Sequence, residues 1–61
     1  MTRAKLFKIF YSQDCNCRIG RSSVKHINHD KMLIIDWDGD KQEVYGILTA
    51  FNIFCRINEI K

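Results

Sequence analysis

Residues 31–60, KMLIIDWDGDKQEVYGILTAFNIFCRINEI, hold the chain's densest apolar sequence and its clearest turn signal. KMLIIDW, residues 31–37, is a short apolar run with β-branched residues, bounded by a turn, and reads as a buried strand. Asp38-Gly39 behind it is a two-residue hairpin signal, because glycine takes positive φ without steric cost and aspartate tolerates it. The return, KQEVYGILTAF, carries Val44, Tyr45, Ile47, Leu48 and Thr49, with Gly46 where a bulge would bend a strand. After Asn52, IFCRINEI alternates Ile53, Cys55 and Ile57 against Phe54, Arg56 and Asn58 at period two. The pattern predicts a three-strand meander. A helix over residues 42–58 also fits the apolar density, but the β-branched content and the breaks at Gly46 and Asn52 weigh against it.

The N-terminal AKLFKIFYS fits a strand with Phe7, Ile9 and Tyr11 on one face. It also fits a short helix capped by Thr2, with Leu6, Ile9 and Phe10 at helical spacing; the three aromatics favour the strand. Residues 13–22 form a loop through Gly20, and SSVKHINHD is a weak, polar strand of the edge type. There is no proline, linker or repeat, so residues 1–61 read as a single small domain. The fold class is mainly β: a small, strongly bent antiparallel sheet or barrel of four to five strands, with a short N-terminal helix as a variant. Closing the sheet on itself covers the apolar face that an open sheet this short leaves bare.

The stretch GILTAFN, residues 46–52, together with LIIDWDGDKQEVYG before it, resembles the first motif of Sm-like proteins, a glycine and alternating apolar residues ending in Phe-Asn at a strand turn. The resemblance implies an SH3-like or Sm-like five-stranded barrel, often with a preceding helix, often assembled in a ring, and usually RNA-binding. It also implies that Phe51 and Asn52 sit at the base-binding loop.

Apolar residues make up 46% of the chain and charged residues 28%, a balance that excludes disorder. No run approaches the roughly 18–20 apolar residues that span a bilayer, so no membrane partner is expected. Three cysteines are too few for a secreted disulfide scaffold and point to a cytoplasmic address. The net charge of +3 conceals an asymmetry: residues 1–31 carry seven Lys and Arg against Asp14 and Asp30, and the remainder carries three against five carboxylates. A basic half suits a polyanion or an acidic protein surface.

Four groups of residues are candidates for chemistry. Cys15 and Cys17 with His26 and His29 supply the four ligands of a structural zinc. The single-residue gap between the cysteines is unusual, however, and on an extended strand the two histidines face opposite ways, so no cofactor is assigned. Asp36, Asp38 and Asp40 with Glu43 depart from the calcium-loop spacing, since Gly39 stands fourth and Glu43 eighth, and read as a solvated hairpin tip. A cysteine with His26 or His29 is the only nucleophile and base inventory, no spacing poses one against the other, and the chain reads as non-enzymatic. Arg3, Lys5, Lys8, Arg18, Arg21 and Lys25, interleaved with Gly20, Ser22 and Ser23, suit phosphate contacts, with Phe10, Tyr11 or Phe51 to stack on bases. The leading expectation is a regulatory protein binding nucleic acid, RNA before DNA. The alternative is a small inhibitor or adaptor, of the kind phages and mobile elements encode, that blocks a host protein surface through Trp37, Asp38, Asp40 and Tyr45. A homo-oligomer is compatible with either.

Overall fold

Thr2 opens the first helix, α1 (Arg3–Ser12), by accepting the Lys5 backbone N–H on its hydroxyl at 3.2 Å, the bond that satisfies an orphan donor at a helix start. In the computed structural model, which describes residues 1–61, α1 is followed by β1 (Cys17–Ile19), β2 (Ser22–Asn28), β3 (Lys31–Ile35), β4 (Lys41–Tyr45) and α2 (Ile47–Ile57). The N-terminal segment therefore takes the Thr2-capped helical form and not the expected strand. Leu6 and Phe10, four residues apart, lie buried on one helical face.

The four strands form one antiparallel sheet in the order β1-β2-β3-β4. Its end strands β1 and β4 do not pair, so the sheet is open and the expected barrel is not closed. SSVKHIN, read as an edge, is paired on both sides: Cys17 lies opposite Val24, and Val24 opposite Ile34. The β3–β4 hairpin forms where the Asp-Gly signal lies, with a longer loop than two residues. The Gly39 N–H bonds the Asp36 carbonyl at 3.0 Å, the Asp36 N–H bonds the Asp40 carbonyl at 3.1 Å, and Gly39 has φ +88°. This is a turn centred on Trp37 and Asp38 followed by a positive-φ glycine, the next commonest hairpin closure.

The largest departure from the sequence reading follows β4. Gly46 has φ +94° and ψ 134°, a conformation closed to residues with a Cβ. It ends the strand, donates its N–H to the Asp30 carbonyl at 2.7 Å and opens α2 with its own carbonyl. The two strands expected over residues 46–58 are thus one helix. Its buried Ala50, Phe51, Phe54 and Cys55 follow helical spacing and not period two. GILTAFN supplies the junction and first turns of α2, with Phe51 buried and Asn52 accepting from Arg3.

Both helices end alike. The Cys15 N–H reaches back to the Phe10 carbonyl at 2.9 Å and the Asp14 N–H to Tyr11 at 3.2 Å; the Ile60 N–H reaches Cys55 at 2.9 Å and the Glu59 N–H Arg56 at 3.2 Å. Asp14 (φ +54°) and Glu59 (φ +55°) hold the left-handed position of this closure, where glycine is usual. Leu6 and Phe10 of α1, Val24, Met32, Ile34 and Val44 of the sheet, and the α2 stripe form one core. Phe7 meets Phe51 edge-on at 4.9 Å, joining the helices. The buried Ser22 hydroxyl lies 2.8 Å from the Ile19 carbonyl and 2.9 Å from Asn58 Oδ1, tying the end of α2 to β2.

The two backbone positions give stability changes of opposite sign. A Cβ at Gly46 would meet only Thr49, at 3.5 Å, so the cost of Gly46→Ala is conformational: about 1–3 kcal/mol of lost stability. Glu59→Gly relieves a left-handed non-glycine residue and gains about 0.5–1 kcal/mol. Urea denaturation followed by circular dichroism measures both; a Gly46→Ala protein as stable as the parent would show that the junction tolerates a Cβ.

Candidate nucleic-acid interface

Residues directly opposite in an antiparallel sheet share a face. By that rule Cys17, Val24 and Ile34, with Met32 and Val44, face the helices. The row Arg18, Ser23, Ile35, Lys41, the row Lys25, Leu33, Glu43 and the pair Lys31 and Tyr45 face away. No element covers this second face: Leu33 and Ile35 are only half-buried, and Tyr45 is 62% exposed. From β1 to β4 the face spans three strand spacings, about 14 Å.

Its electrostatics are one-sided. Arg18, Lys25, Lys31 and Lys41 share it with the single carboxylate of Glu43. Lys31 Nζ pairs with Glu43 Oε2 at 3.2 Å, the only ion pair of the protein, which leaves Arg18, Lys25 and Lys41 unpaired. Arg18 donates through Nε to the Gly20 carbonyl at 3.1 Å, which orients the guanidinium and keeps both terminal nitrogens free.

The structure separates the cations expected to act together. Arg18 and Lys25 lie on the open face and Arg21 in the β1–β2 turn. Lys5 and Lys8 are exposed on α1, in the helix layer on the opposite side of the sheet. Arg3 stands 5.4 Å above the Phe51 ring and donates to Asn52, so it holds α1 to α2. Of the aromatics expected to stack on bases, Phe10 and Phe51 are buried in the core, and Tyr11 packs on Phe7 on the helix side. Ser23 lies on the basic face with Arg18, and Lys41 and Tyr45 join it from outside the cation set that the sequence suggests. Only the strand register reveals them, since Lys41 and Tyr45 lie in the acidic half of the chain.

The other candidates divide similarly. A side chain at Gly20 would overlap the Trp37 ring, so Trp37 is seated on the β1–β2 turn beside Asp38 and Asp40, while Tyr45 stands at the far end of β4. Asp36 Oδ1 accepts the N–H groups of Asp38 at 2.9 Å and Asp40 at 3.0 Å, which accounts for the acidic cluster as turn chemistry. Cys15 and Cys17 are buried, whereas His29 lies exposed in the β2–β3 turn. His26 Nε2 contacts the His29 carbonyl at 2.8 Å, and the four do not converge as ligands. No helix is long and apolar enough to cross a membrane. Compared with family models, curated proteins and solved structures, the chain shows no match.

Burial pushes the thiols of Cys15, Cys17 and Cys55 above their ordinary pKa of 9.0, with Asp14 adding to the effect at Cys15. A raised pKa in the fold means that the unfolded chain releases these protons first. The contribution of the neutral thiols is therefore complete below pH 9 and is lost as pH rises through the folded values. Thermal melts under reducing conditions will show stability falling above pH 9, and a variant with all three cysteines replaced by alanine will lose that component of the slope.

Proposed function

We propose that this protein binds single-stranded nucleic acid, RNA in particular, on the open face of its sheet and catalyses no reaction. The observation that carries this reading is the convergence of Arg18, Lys25 and Lys41, drawn from both halves of the chain, on the one face no helix covers. Unpaired cations attract phosphates, and the exposed Tyr45 ring beside half-buried Leu33 and Ile35 offers a surface for unstacked bases. A duplex presents mainly phosphate and sugar to so flat a face and leaves the aromatic unused. Four-stranded antiparallel sheets are a recurrent platform for single-stranded RNA. The second reading, occlusion of a protein surface, ranks lower because Trp37 is seated on Gly20, away from Tyr45.

Three free cations set the electrostatics. Fluorescence anisotropy with short labelled oligouridine and oligothymidine will give log affinity against log salt with a slope of about −2, about −0.7 for each of three phosphates on a single strand. Tyr45→Ala will weaken binding roughly tenfold, within the range for a base stacked on an aromatic ring. The double variant Lys5→Ala with Lys8→Ala will bind like the parent. If neither oligonucleotide binds at low salt, the proposal fails.

A further inference from the structure

Beside the edge strand, the open face carries a shallow, wide-open hollow of about 390 Å³. It is lined by Cys17 and Val24, which lie opposite each other on β1 and β2, and by Gln13, Arg18, Ser23 and Lys25 among others. We infer that this hollow is an anchoring subsite for one nucleotide, holding its phosphate against Arg18, Lys25 and Ser23 with the sugar toward Gln13. The inference rests on the single-strand reading above and says where along the strand contact is strongest.

Three observations carry it. The polar groups of the walls are free: the Ser23 hydroxyl, the Gln13 carboxamide and Lys25 Nζ make no bond within the protein, and Arg18 spends only Nε. Phosphate oxygens want such donors, and a guanidinium already held in place loses less freedom on binding. The rim is also fixed, because Asn16 donates to the carbonyls of Gln13 and Asp14, both at 3.2 Å, and its Oδ1 accepts the His26 N–H at 3.0 Å. Finally, no carboxylate lines the hollow. A larger hollow of about 550 Å³ at the C-terminal end of α2 lacks this character: Glu59 lines it beside Arg56 and Lys61, and the helix end turns its negative pole to it.

Uridine 5′-monophosphate and inorganic phosphate, titrated into the isotopically labelled full chain and followed by NMR, test the subsite. Both will shift the amide signals of Arg18, Ser23 and Lys25 and leave those around Glu59 in place. Arg18→Ala will weaken uridine monophosphate binding about tenfold or more, as loss of a charge-assisted fork predicts. Lys41→Ala, three strands away, will leave mononucleotide affinity unchanged while weakening the oligonucleotide. If oligouridine binds but the mononucleotide shifts no signal in the hollow, the subsite is wrong and the open-face reading stands; if neither binds, both fall.

Discussion

Everything on the C-terminal side of this fold turns on Gly46. Its backbone takes a conformation available only without a Cβ, and its N–H is fixed to the Asp30 carbonyl in the β2–β3 turn. The strand β4 stops there, and the chain is thrown across the sheet as α2. That single redirection carries Phe51, Phe54 and Cys55 onto the inner face, where Val24, Met32, Ile34 and Val44 wait. A chain of 61 residues buries only about 60% of its unfolded surface, so losing this lid would leave too little core to fold. α1 completes the layer through Phe7, Phe10 and the Arg3 contact with Phe51 and Asn52.

Placing both helices on one side has a direct consequence for the other. The inner face absorbs the apolar side chains, and the alternating residues of the same strands are left to solvent. A charge map drawn along the chain shows a basic first half and an acidic second half. A map drawn by face is different: Asp36, Asp38 and Asp40 gather at the hairpin tip, Glu43 is neutralised by Lys31, and the remaining cations of the sheet look outward. The chain's polarity along its sequence becomes, in the fold, a cationic sheet face beside an acidic hairpin tip.

How far the sequence disclosed this depends on the element. KMLII and the hairpin after it were legible because a short β-branched run and an Asp-Gly turn act locally. The N-terminal helix was present as an alternative, through Thr2 and the spacing of Leu6 and Phe10. The C-terminal helix was hidden by two coincidences. Gly46, a true break, divides strand from helix and does not bulge a continuing strand, and Phe54 and Cys55 serve either period until a partner face selects one. Both helix ends were masked as well, because Asp14 and Glu59 occupy the left-handed closing position where glycine would have marked the stop. For the site, cation excess pointed to Arg18 and Lys25 but also to Arg3, which the fold uses to join its helices. Lys41 and Tyr45 were out of reach, since their membership rests on pairing with residues distant in sequence.

That dependence on register couples stability and recognition more tightly than in a protein whose site lies on loops. Side chains alternate along β2, β3 and β4, so a slip of one residue would send Val24, Met32 and Ile34 outward and bury Lys25, Leu33 and Ile35 in their place. Core and binding face would be lost together. The features that prevent the slip are the irregularity at Ile27 between the His26 and Asn28 pairings, the Asp36-centred hairpin closure, and the Gly46 bond to Asp30. None of them touches the open face, yet each decides which residues compose it. A substitution at these points acts on binding through register, whereas Arg18, Lys25 and Lys41 lie at the surface and can be changed with little effect on the core. The sheet thus separates its two tasks by face while holding both to one alignment of strands.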